Sequence, residues 1–144
     1  MTGTPKRPKL WLFVGLGGAA GSLLRYVIDT VWVGNGGLAV LLINVIGSFA
    51  LGWLITTVFA RPGNAPWLAP ALGPGLLGGF TTMSGFALWV NQSALGSGPL
   101  ISAAYFFASL VLGLLAAWAG LDLGRRRSHT PLPQPTDPGW EDEA

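Results

Sequence analysis

At 144 residues, 51% hydrophobic and 10% charged, with a net charge of only +2, the chain is too apolar for an ordinary water-soluble domain. It has no cysteine, which excludes a disulfide framework and a thiolate metal site. Its single histidine leaves no clustered acid, base or nucleophile of the kind an enzyme needs. Mean hydropathy is +0.54, and between Leu10 and Leu121 the only charged residues are Arg25, Asp29 and Arg61, so most of the chain is expected inside a membrane.

Residues 1–9 carry Lys6, Arg7 and Lys9 ahead of an apolar run, which looks like the start of a signal peptide. The run is too long for that, contains Arg25 and is followed by further apolar stretches, so these residues are expected to form a cytoplasmic tail. An apolar stretch of about 20 residues crosses a hydrocarbon core of about 30 Å. Stretches of that length run roughly from Leu10 to Val33, Leu38 to Ala60, Trp67 to Val90 and Leu100 to Leu121. Between them lie Gly34-Asn35-Gly36-Gly37, Arg61-Pro62-Gly63-Asn64-Ala65-Pro66 and Gly96-Ser97-Gly98-Pro99, all rich in residues that end helices. Trp11, Trp32, Trp67 and Trp89 fall near span ends, where indole favours the headgroup level, whereas Trp53 and Trp118 read as packing residues.

The third stretch contains GLLGGFTTMSGF from Gly75 to Phe86, a glycine pair followed by hydroxyls. Backbone groups left unpaired at membrane depth cost several kcal/mol each unless they face protein, water or an ion. A purposeful break next to an ion is therefore expected here. A simple glycine kink repaired by the Thr81 or Thr82 hydroxyl is the alternative. Residues 10–124 form the expected four-helix membrane domain, all-α, with a broken third helix. Residues 125–144, proline-rich and ending Glu141-Asp142-Glu143, read as a disordered tail that also holds His129. With four spans, Lys6, Arg7, Lys9, Arg61, Arg125, Arg126 and Arg127 share one side. The opposite links carry no Lys or Arg, so both termini are expected in the cytoplasm of a cell-membrane protein.

Three blocks then combine: Gly17-Gly18-Ala19-Ala20-Gly21-Ser22-Leu23-Leu24-Arg25-Tyr26, Asn44-Val45-Ile46-Gly47-Ser48-Phe49-Ala50-Leu51-Gly52, and Gly75 to Phe86. In this order, in a four-span chain of this length, they resemble the signature blocks of the Fluc (CrcB) fluoride channels. The resemblance implies a passive fluoride exporter built from two antiparallel subunits with narrow pores and a central structural Na+. It implies that Arg25 lies in the pore vestibule, that Asn44 and Phe86 line the pathway, and that the carbonyls of Gly78 and Thr81 hold the sodium. Met83 stands where the family has the first of two pore phenylalanines, and Tyr105 and Ser109 resemble a hydroxyl track.

Elementary chemistry is compatible with these roles and leaves alternatives open. Arg25 supplies fixed positive charge, or else snorkels to headgroups or pairs with Asp29 at i+4. The Asn44 amide can donate to an anion, or bond another helix. Phenylalanine edges carry partial positive charge, and Met83 offers polarizable bulk without such an edge. Tyr105 and Ser109 share a helix face but can equally bond backbone. Ala39-Val40 and Gly85 also depart from the family pattern. With the lopsided basic residues, these departures point to one half of an antiparallel heterodimer with a paralogue of reversed bias, a homodimer being the second choice. A small proton-coupled transporter would need a carboxylate inside a span, and the second, third and fourth stretches have none. A non-conducting assembly subunit is the remaining alternative.

Overall fold

Long apolar segments fold as helices in a medium without water because each backbone N–H and C=O is then satisfied within its own segment. The structure is a computed structural model that describes residues 10–31 and 36–127, and it is all-helical, with no strand among the described residues. The basic N-terminal tail, Trp32, Val33, the first half of the first link (Gly34 and Asn35), and the proline-rich tail with His129 lie outside the described residues.

Helix α1 spans Leu10–Val31, and α2 spans Gly36–Leu54 and runs on through a π-helical stretch, Ile55–Phe59. The next apolar stretch is assembled from α3 (Leu68–Pro70), a π-helical stretch (Ala71–Leu77) that contains Pro74, α4 (Gly78–Phe80) and α5 (Met83–Gly96). Last comes α6, Pro99–Arg127. Three segments are long and apolar enough to cross a membrane as single helices: Leu10–Val31, Gly36–Phe59 and Pro99–Arg127. The fourth helix therefore continues past the expected end at Leu121, and helical geometry reaches three residues into the segment read as tail. An i,i+4 ion pair from Arg126 Nε to Asp122 Oδ2 at 2.8 Å supports that extension.

Two glycine-lined seams hold the bundle. A methyl group at Gly17 or Gly21 would overlap the carbonyl oxygens of Ala71 and Leu76 respectively, so α1 lies against the first half of the third stretch at backbone distance. Likewise a methyl at Gly52 would overlap the Ala117 oxygen and one at Gly120 the Phe49 oxygen, which seats α2 on α6. Small residues that let backbones meet are how helices associate where lipid is as apolar as the side chains. The contact order along both seams is parallel: Gly17 and then Gly21 meet Ala71 and then Leu76, while Phe49 and Thr56 meet Gly120 and Gly124. Phe13 stacks on Trp67 at 5.1 Å. The start of α1, the end of α2, the start of α3 and the end of α6 thus gather at one end of the molecule.

The buried apolar core is small, comprising Ala39, Ile43, Leu77, Phe80 and Phe86, with Ile43 wholly enclosed. Outward-facing Leu16 is 70% exposed, Leu100 82% and Leu114 71%. Apolar exposure on that scale has no place in water and is what lipid tails require.

Candidate ion site and pathway

Between α4 and α5 two residues leave helical geometry. Thr81 has φ −75° and ψ 157°, and Thr82 has φ −143° and ψ 112°. The local sequence explains the place. Gly78 and Gly79 weaken the helix before it, the β-branched threonines favour extended backbone, and Thr82 is an N-cap residue type whose Oγ1 accepts from Gly85 N–H at 3.0 Å. Thr82 Oγ1 also lies 3.2 Å from Ser84 Oγ. Thr81 stays tied to the preceding turn, since its N–H and its hydroxyl both donate to Leu77 O, each at 2.9 Å.

Asn44 completes the arrangement from α2. Its Nδ2 donates to Thr82 O at 3.1 Å, and its Oδ1 accepts from Thr82 N–H at 2.8 Å. One amide therefore satisfies the Thr82 N–H, which has no helical acceptor, and adds a second donor to its carbonyl. In a continuous helix Thr82 N–H would bond to Gly78 O, so this clamp releases the Gly78 carbonyl from that partner. From α1, the Ser22 hydroxyl reaches Gly79 O at a long 3.5 Å. The missing Cβ of Gly47 leaves room for the Thr81 methyl group.

Asn44, Gly78, Thr81, Thr82 and Met83 line one open, mostly apolar cleft of about 810 Å³, whose walls also include Ser48, Leu51 and Pro74. Met83 stands at 75% exposure. Phe86 lies elsewhere. It is buried, stacked on Tyr105 with centroids 6.0 Å apart and tilted against Phe106 at 5.5 Å. Trp89 meets Tyr105 edge-on at 6.4 Å, and its indole packs on Gly37. The Tyr105 hydroxyl donates to Gly37 O at 2.9 Å, and the Ser109 hydroxyl donates to Tyr105 O at 2.7 Å. Both hydroxyl protons are thus engaged within the chain.

Arg25 is half-buried one turn beyond Gly21, and its Nε is fully enclosed with no hydrogen-bond partner among the described residues. It makes no ion pair with Asp29; the ion pair found among the described residues is Arg126–Asp122. The structure thus brings Asn44, Gly78, Thr81 and Met83 to one cleft, Phe86, Tyr105 and Ser109 to the α5–α6 contact, and leaves Arg25 outside both groups. Sequence reasoning missed the role of Thr82 as the partner of Asn44. The available signal was a threonine immediately before a helical run. Phe106, which helps complete the aromatic stack, carried no signal beyond being aromatic, and Trp89, read as a span-end indole, also packs against Tyr105 and Gly37.

Against known proteins, the family model described as "CrcB-like protein, Camphor Resistance (CrcB)" matches residues 12–121. A fluoride-specific ion channel FluC from Stutzerimonas stutzeri (strain A1501) is 43% identical over 117 residues, covering 78% of this chain and 94% of that protein. Fluoride-specific ion channel FluC 2 from Nocardia farcinica (strain IFM 10152) is 41% identical over 123 residues, covering 83% and 85%. Fluoride-specific ion channel FluC 2 from Geobacillus kaustophilus (strain HTA426) is 38% identical over 119 residues, covering 77% and 89%. With a family match across nearly the whole helical region and relatives aligned over most of both lengths, this multi-pass membrane chain belongs to the CrcB family.

Proposed function

We propose that the protein is a fluoride-specific channel that lets the ion leave the cytoplasm down its electrochemical gradient and so lowers fluoride toxicity. The observation that carries this reading is the alignment, at 43% identity over 117 residues, with a protein named as a fluoride-specific channel. No covalent step is involved. Fluoride is small and tightly hydrated, so its path must replace water with donors and positive edges. Asn44 has a second Nδ2 hydrogen beyond the one given to Thr82 O, and that hydrogen is available to an anion at the cleft. Phe86 would present a ring edge, Tyr105 and Ser109 would flank it, and Arg25 would attract the anion toward the path. Met83, exposed beside the cleft, would occupy the constriction without supplying an aromatic edge.

In this reading the third span is a broken helix, a view supported by the extended dihedrals of Thr81 and Thr82. Residues 10–124 make up the channel unit. The residues fit a structural Na+. Gly78 O has lost its helical donor to Asn44, Thr81 no longer follows the helical direction, and both line an open cleft that a second copy could close. Gly78 and Thr81 carbonyls from two subunits would hold the ion, and carbonyl oxygen suits a hard cation. When bound, it raises the local potential for an anion. The subunits would be antiparallel, with both termini of this chain cytoplasmic. Seven of the eight basic residues favour that single orientation, which supports pairing with a paralogue of opposite bias over self-pairing. Relatives with numbered names, FluC 2 and FluC 3, are consistent with such copies. Membrane vesicles from cells making this chain alone and together with the paralogue test the pairing. Fluoride efflux should be fast only with both; equally fast efflux from the lone chain overturns it.

A further inference from the structure

Helix α6 has 29 residues and is therefore about 43 Å long at about 1.5 Å per residue, well beyond a hydrocarbon core of about 30 Å. Its last turn carries Arg125, Arg126 and Arg127, and close packing of Gly124 on Thr56 brings that turn beside the end of α2. Arg61 begins the link that follows. The described acids are Asp29 and Asp122, and Asp122 is already engaged by Arg126. Arg61, Arg125 and Arg127 thus have no carboxylate partner among the described residues. Cations at a helix C-terminus are partly accounted for by the dipole of α6. That account does not extend to Arg61, which lines a separate cavity of about 210 Å³ with Phe59, Gly63, Asn64, Pro66 and Leu68. The cavity is built by the backbone. Arg61 N–H donates to Val58 O at 3.2 Å, the Asn64 amide bonds the same oxygen, and Gly63 turns the chain at φ 85°.

From this arrangement we propose that this end of the molecule docks anionic phospholipid, with Arg61 seating one lipid phosphate in the link cavity and Arg125 and Arg127 supplying the surrounding attraction. The level is that of lipid headgroups, because Trp67 and Trp11 lie at the same end and are exposed by 39% and 68%. Insertion orientation requires only basic charge on one side. A cavity lined by Arg61, which has no carboxylate partner among the described residues, goes further and selects a headgroup.

Native mass spectrometry of the full chain, equilibrated with equal amounts of phosphatidylglycerol and phosphatidylethanolamine of identical acyl chains, tests this. The wild type should retain phosphatidylglycerol at least five-fold over phosphatidylethanolamine. Arg61→Gln, at an exposed position that does not endanger folding, should bring the ratio near one, and Arg61→Lys should recover part of it. A topology reporter should give one orientation for all variants. Equal retention of both lipids by the wild type, an unchanged preference in Arg61→Gln, or displacement of the lipid by an equal concentration of inorganic phosphate overturns the proposal.

Discussion

Asn44 uses one Nδ2 hydrogen and one Oδ1 lone pair on the backbone of Thr82, at 3.1 Å and 2.8 Å. Removing the amide leaves the Thr82 N–H unpaired in a region without bulk water, at about 1 to 3 kcal/mol, while Thr82 O keeps the first bond of α5 as its N-cap carbonyl. Asn44→Ala should therefore lower stability by about 1 to 3 kcal/mol on that basis, read as a shift in a reversible denaturant titration in mixed micelles. A variant as stable as the wild type would show that Thr82 finds other partners. Met83 is the opposite case. At 75% exposure it holds no internal packing together, so Met83→Phe should fold normally. By adding a ring edge where the thioether has none, it should raise the fluoride efflux rate several-fold, measured from vesicles; an unchanged rate would remove Met83 from the pathway. Neither residue's setting followed from sequence. Asn44 was legible as the lone amide of its span, but only the fold shows its partner, a threonine 38 positions away.

At the scale of elements, the seams rest on backbone contact. A side chain at Gly120 must displace the Phe49 carbonyl, and overpacking of this kind costs about 1 to 3 kcal/mol. Gly120→Val should then weaken the α2–α6 contact and lower yield and thermal stability. Gly15→Ala on α1, with nothing within 4 Å of the added carbon, should be neutral or slightly stabilising. Equal behaviour of the two variants in a thermal aggregation assay would refute the seam. Hydropathy alone located the three continuous spans, because length and lack of charge decide them. It could not locate the π-helical stretch Ile55–Phe59, whose sequence ITTVF carries no glycine or proline and whose geometry is set against α6. The stretch Ala71–Leu77 did carry a sign in Pro74, which lacks an N–H. Hydropathy falls at Asp122, where the apolar stretch ends, while the helix itself continues through the Arg126–Asp122 pair.

The whole molecule places most of its apolar side chains outward and leaves one wall, the cleft at the α4–α5 junction, open. An opposed subunit covering that wall would bring two copies of Gly78 and Thr81 together, and a cation would offset the proximity of their carbonyls. Replacing Na+ with a bulky organic cation should accordingly loosen the dimer, seen as a rise in monomer fraction by single-molecule photobleaching in liposomes. A monomer fraction indifferent to Na+ would argue against a shared ion. The aromatic stack of Phe86, Tyr105, Phe106 and Trp89 ties α5 and α6 to the start of α2, and helical periodicity had no means of joining residues from three elements.

If fluoride crosses beside the Asn44 amide, fluoride release from proteoliposomes, followed with a fluoride-selective electrode beside a chloride electrode, must depend on that residue. With this chain and its opposed partner reconstituted together, fluoride should leave within the dead time of mixing while chloride stays inside. Asn44→Ala should slow the release at least tenfold. Chloride leaving alongside fluoride, or undiminished release from Asn44→Ala, would contradict it.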